Sequence, residues 1–230
     1  MNRRVSNPDL EVRVNSPPRA FTLLEILLVA TLAAMLAVGL GAALRDKTGP
    51  ALQIAQLLVA GLIQQARTAA TANQTETRLV VCATRSPAGE PATFLRLLQV
   101  FRADPQGSQF WVPVGLPVFL PPAVCVVPPS TDGLLASGVV WPAGSGSVSH
   151  LVSESGTPFR TALANAATVL SLRFGSDGLP ASDTALDFKI IVASFTGPPA
   201  RPQFNNPTAV RAVLLRSNGA ITLPFDPGDF

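Results

Sequence analysis

The pattern of apolar and polar positions changes character along the chain. Residues 1–20 are mostly polar, and Phe21–Leu44 is then an apolar run of 24 residues with one charge, Glu25. As a helix such a run measures about 36 Å, enough for a hydrocarbon core of about 30 Å, so it predicts a transmembrane helix. Gly49 and Pro50 mark a kink or short break. Beyond them Leu52, Ala55, Val59, Leu62, Ala66 and Ala69 recur at spacings of three and four. That is the apolar stripe of an amphipathic helix, ending near Asn73, with Gln53, Gln56, Gln64, Gln65 and Arg67 on much of the remainder. The alanines in the stripe permit close approach to a sheet or to another helix.

From Thr77 onward short β-rich runs alternate with turn residues. Arg78–Ala83, Phe94–Arg102, Val124–Val127, Thr168–Phe174, Asp187–Phe195, Val210–Leu215 and Ala220–Leu223 read as strands, and Gln109–Val112 and Val118–Leu120 as weaker ones. Asp104-Pro105-Gln106-Gly107 and Asp177-Gly178 are turn signals, and Ser217-Asn218-Gly219 between two apolar runs is a strong hairpin signal. Residues 128–166 are rich in Gly, Ser and Pro and lack periodicity, which predicts a flexible surface insertion with one short helix around Arg160–Ala166. Antiparallel strands after one long helix make an α+β protein. The expected organisation is a leader at 1–20, a membrane span at 21–44, an amphipathic continuation at 45–74 and a β-rich head at 75–230.

Charge sets the orientation of this scheme. The net charge is +3, and residues 1–20 contribute +2 of it through Arg3, Arg4, Arg13 and Arg19 against Asp9 and Glu11. Basic residues before the span place the leader in the cytoplasm and the head across the membrane. The remaining +1 is no argument for nucleic-acid binding, because no basic face with interleaved aromatics follows. Cys82 and Cys125 both fall outside the membrane, where either a disulfide or two buried free thiols fits.

An acid inside an apolar run is costly and asks for a partner. The segment Ala20-Phe21-Thr22-Leu23-Leu24-Glu25-Ile26-Leu27-Leu28-Val29, behind a basic leader, resembles the type IV prepilin signal. The resemblance implies cleavage between Ala20 and Phe21 by a prepilin peptidase, retention of the apolar helix and N-methylation of Phe21. The family usually has Gly before the cut where this chain has Ala20. Glu25 then lies in the first turns of a helix whose positive end favours an anion. It can pair with the Phe21 amine of a neighbouring subunit, or with the amine of its own helix, since residues four apart share a face.

The order of parts is similar to the minor pseudopilins, especially the H-type subunit of type II secretion, whose heads carry a late Phe-x-x-Asp-Gly turn and a final hairpin with Gly. The corresponding segments here are Leu172–Gly178 and Leu214–Ile221. Residues Leu97–Val124 are similar to a prepilin-like set, the Verru_Chthon cassette protein D group. These resemblances imply a structural subunit of a type IV pilus-like or type II secretion-like filament. Its partners would be other pilin or pseudopilin subunits, the peptidase, an inner-membrane assembly platform and membrane lipid. The competing class is a membrane-tethered periplasmic binding module that does not polymerise.

Enzyme chemistry finds little support. His150 is the one histidine and stands in a Gly/Ser-rich stretch, as do Ser145 and Ser147. No spacing selects a pair of carboxylates, no phosphate loop is present, and no CxxC or His/Cys cluster offers metal ligands. Asp226 and Asp229 near the C-terminus read as exposed acids, with calcium binding as the alternative that the resemblance suggests. No cofactor is expected.

Overall fold

The computed structural model describes residues 48–85, 93–129, 134–135, 149–159, 168–181, 187–198, 201–204, 206 and 208–229. All of them belong to one compact unit, Lys47–Phe230. It is an α+β unit in which one helix packs on antiparallel sheets.

The helix, α1 (Thr48–Asn73), takes in Gly49 and Pro50 as its first turn. Proline there removes no intrahelical bond, because the first four N–H groups of a helix have no partner inside it. The predicted stripe is the buried one: Leu52, Ala55, Val59, Leu62, Ala66 and Ala69 all face the core, joined by Ile63 and Ala70. The helix stops at the expected residue. Gln74 adopts a left-handed conformation (φ 50°) and the Thr75 N–H donates to Ala70 O at 3.3 Å, a Schellman-type closure made without glycine. Gln56 departs from expectation. The sequence pattern puts it among the polar positions, but it is buried, and its Nε2 donates to Ala212 O (2.7 Å) and Pro224 O (2.9 Å).

The strands are β1 (Thr77–Cys82), β2 (Leu97–Ala103), β3 (Trp111–Phe119), β4 (Val124–Val126), β5 (Val152–Ser155), β6 (Thr168–Phe174), β7 (Phe188–Ser194), β8 (Val210–Leu215) and β9 (Ile221–Thr222). One sheet has the order β3-β2-β1-β6-β5 and the other β4-β7-β8-β9, with every pairing antiparallel. α1 lies against β1 and β2 of the first sheet and β7 and β8 of the second, so one core fills the space between helix and sheets.

Register explains why β1 is buried at every position. Leu79 opposite Leu172, and Val81 opposite Leu170, point to the core under α1. Val80 and Cys82 point the other way, into a smaller cluster with Leu97, Phe101, Phe159 and Val169. Corner residues join the sheets. The Leu95 N–H donates to Cys82 O (2.7 Å) beside β1, and its carbonyl accepts from Val126 of β4 (2.9 Å). Leu95 does this at φ 55° with its side chain fully buried, a conformation that costs roughly 1–2 kcal/mol in a residue with a Cβ.

Two strand expectations need correction. The weak runs Gln109–Val112 and Val118–Leu120 overlap the two ends of one strand, β3. Pro113, Gly115 and Pro117 weaken its signal, but β3 is a sheet edge, where proline removes no ladder bond, and Gly115 sits at a bulge with φ 84°. The insertion 128–166 also contains structure: Ser149–Leu151 runs beside β7 and leads into β5, so this short strap crosses from one sheet to the other. The short helix expected around Arg160–Ala166 lies outside the described residues.

Candidate functional site

The sequence of α1 contains a single charged residue, Arg67, and the fold uses it internally. Its Nε donates to Gly178 O (3.0 Å), and its Nη1 donates to Gly219 O. Both glycines have positive φ, 74° and 82°. A Cβ on Gly178 would lie 2.8 Å from Thr71 Cγ2 and 3.2 Å from Arg67 O, and one on Gly219 would strike the Arg67 guanidinium. The Asp177-Gly178 turn and the Ser217-Asn218-Gly219 hairpin are therefore two of the points where the sheets dock on the second half of the helix.

The opposite side of α1 is open. Ile54 and Leu57 are 52% and 54% exposed. With Leu58, Gly61, Leu62 and Val118 of β3 they line an apolar groove of about 350 Å³. Residues 54, 57, 58 and 61 follow the spacing i, i+3, i+4, i+7, so α1 carries a second apolar stripe beside the core-facing one. Gly61 leaves bare backbone in the groove, with nothing within 4 Å of where its Cβ would be. Further along β3, Gln65 Nε2 donates to Val114 O (3.0 Å) and ties the edge strand to the helix. Leu116 (86% exposed) and Phe119 (48%) stand on β3 on either side of Val118. This second stripe was readable in the sequence, since the same spacing rule that finds the first one finds it too.

No family model, curated protein or solved structure matches this chain. Its functional reading therefore rests on its own residues. Ala20, Phe21 and Glu25 lie outside the described residues, as do Ser145 and Ser147. Among the described residues no helix is long and apolar enough to cross a membrane, and the expected span Phe21–Leu44 is not among them.

The remaining candidates are spread apart. His150 is exposed at the edge of β7, its N–H donating to Lys189 O (2.8 Å) and its Nδ1 3.2 Å from Asp187 O. Cys82 and Cys125 are buried free thiols in different clusters, one in the smaller cluster with Phe101 and Phe159 and one in the main core. Burial pushes the Cys125 thiol far above its ordinary range despite the nearby Arg96. Asp226 and Asp229 are exposed around a 3-10 turn, Pro227–Asp229. No group of three or more metal-ligating side chains stands together among the described residues.

One charged constellation escaped the sequence reading. On the outer face of the first sheet, Glu154 of β5 takes an ion pair from Arg78 and hydrogen bonds from Ser171, Thr157 (3.2 Å) and Arg173 (3.0 Å). The Arg78 guanidinium also lies 3.9 Å over the Trp111 ring. Burial works to raise the Glu154 pKa, but the Ser171 hydrogen bond and the charges of Arg78 and Arg173 outweigh it and leave it lowered. For Arg78 burial wins over the pull of Glu154 and Glu76, and its pKa is lowered. The constellation pins the strap to the sheet. It has the character of a fastening, with every carboxylate oxygen already partnered.

Proposed function

We propose that this chain is a prepilin-like structural subunit. It is cut between Ala20 and Phe21, methylated on the new amine, and assembled into a type IV pilus-like or type II secretion-like filament. The observation that carries this reading is the segment from Ala20 to Glu25, set before a run that has no further charge until Arg45. In this reading Phe21–Leu44 spans the inner membrane, α1 continues from it, and the sheets form a periplasmic head. A helix packed on antiparallel sheets and apolar on a second side supports it, since a subunit must both close its own core and present a surface to a neighbour.

Intact mass of the membrane-bound protein tests the processing step. The expected result is loss of the first 20 residues and gain of one methyl group. A chain that still begins at Met1, or one cut near Ala42, refutes the reading. Ala20→Gly is expected to be processed at least as well as the wild type, and a bulky residue at 20 to block the cut. Glu25→Ala is expected to be made, cleaved and inserted, yet to be excluded from filaments, because the Phe21 amine of its neighbour loses the partner that offsets its burial.

A further inference from the structure

We infer that the groove between α1 and β3 receives the uncharged stretch Ile26–Leu44 of a neighbouring copy of this chain. The inference rests on the filament reading and says which surfaces meet.

The groove has the composition of an interface centre. An exposed helix face ordinarily carries lysines and glutamates, and depletion of charge around apolar anchors marks the buried middle of a contact. The single charge of α1, Arg67, is engaged with the Gly178 and Gly219 turns, so none remains for the open side. Large exposed apolar patches on a soluble domain mark a binding surface.

The shape favours a helix as occupant. The anchors from Ile54 to Leu62 rise about 12 Å along α1, a little over two turns. Bare backbone at Gly61 lets a second helix approach closely, as small residues do where helices cross. A strand is a poor occupant, because Pro113, Pro117 and the bulge at Gly115 interrupt the free edge of β3.

The chain itself supplies a matching segment. Residues 1–47 precede α1, and within them Ile26–Leu44 has no charge and is rich in small residues, including Ala30, Ala34, Ala37 and Gly41. In a bilayer lipid covers this stretch. In a filament only protein can, and an apolar groove free of charge is a suitable cover. Glu25 falls outside the stretch and stays available to an amine. Groove and stretch are different surfaces on each copy, so the contact is head-to-tail, and a head-to-tail contact that does not close gives an open filament.

The test uses the full-length chain, expressed in membranes as two differently tagged copies. One copy carries Leu57→Cys and the other Leu36→Cys. The native cysteines are buried and do not compete. The expected result is an oxidised dimer bearing both tags, absent when Val152→Cys on the distant strap replaces Leu57→Cys. Independently, Leu57→Glu should lower incorporation into filaments by about tenfold or more, because it buries an unpaired charge. If filaments form but no mixed dimer appears, or if Leu57→Glu is incorporated normally, the groove assignment fails and the filament reading stands. If wild-type copies neither form filaments nor co-purify, both fail.

Discussion

Two sides of α1 carry apolar side chains and are treated differently by the fold. The inner side is closed by small residues and fixed by polar fastenings at several heights. Gln56 bonds the carbonyls of Ala212 and Pro224, Thr77 Oγ1 reaches Ala66 O (2.9 Å), and Arg67 bonds two glycine turns. Along the groove the outer side has only Gln65, tied to the β3 edge. The difference separates two roles within one helix. Apolar burial with fastened ends builds a domain, and apolar exposure without charge offers a surface. If the distinction is real, stability should depend strongly on inner residues and barely on outer ones.

The largest effect should come from the inner side. Ile63 is fully buried in the main core, and Ile63→Ala removes buried methyl groups and leaves a cavity. The expected loss is about 2–5 kcal/mol, read as a lower urea midpoint in a chain that begins at Lys47. A loss under about 0.5 kcal/mol would mean that the helix does not close this core.

The fastenings come next. Arg67→Met keeps much of the aliphatic stem but leaves the Gly178 and Gly219 carbonyls without their donor, at a cost of about 1–3 kcal/mol. Gly178→Ala should cost at least as much, since it strains a positive-φ position and presses on Thr71 and the helix backbone. If the turns dock through apolar contact alone, Arg67→Met will be nearly neutral in the same measurement.

The outer face of the first sheet offers a third kind of cover, a strap held by charge. Glu154 has a lowered pKa in the folded protein. The unfolded chain therefore binds more protons as pH falls below the ordinary glutamate range. The stabilisation is fully present above the unfolded pKa and is lost as pH falls through the folded one. Glu154→Gln should thus cost about 1.5–3 kcal/mol at neutral pH, with the gap to wild type narrowing in acid. A gap that stays constant from neutral pH to about pH 3 would show that the side chain acts by packing and not by charge.

These three covers also differ in how far they could be read from sequence. The inner stripe was legible because burial on one side of a helix forces spacings of three and four, and its end at Asn73 was legible from the loss of that spacing. Strands β6 and β8 were legible as apolar runs closed by turn residues. The strap was not. Val152-Ser153-Glu154-Ser155 has one apolar side chain, so nothing local marks it as a strand. It is held by Arg78, Ser171 and Arg173, which reach it only after β1 and β6 have paired. Gln56 misled for a related reason, because its two acceptors lie far along the chain, at Ala212 and Pro224. The proposed processing residues Ala20 and Phe21 and the proposed assembly residue Glu25 are read from one local stretch of sequence, which lies outside the described residues.

The smallest expected effect on stability is the one that matters most for the comparison. Leu57 lies on the outer side and is 54% exposed, so Leu57→Gln removes little buried surface and puts a good helix former in its place. The expected change in unfolding free energy is within about 0.5 kcal/mol, far below that of Ile63→Ala on the same helix. Ile54→Gln should behave alike, because each side chain faces the groove and the core stays intact beneath Leu62. What the double variant should change is assembly. Incorporation of the full-length chain into filaments should weaken, while the urea midpoint of the chain that begins at Lys47 stays put. A midpoint that falls with the double variant by as much as with Ile63→Ala would show that the groove is part of the core. The two sides of α1 would then have one role, not two.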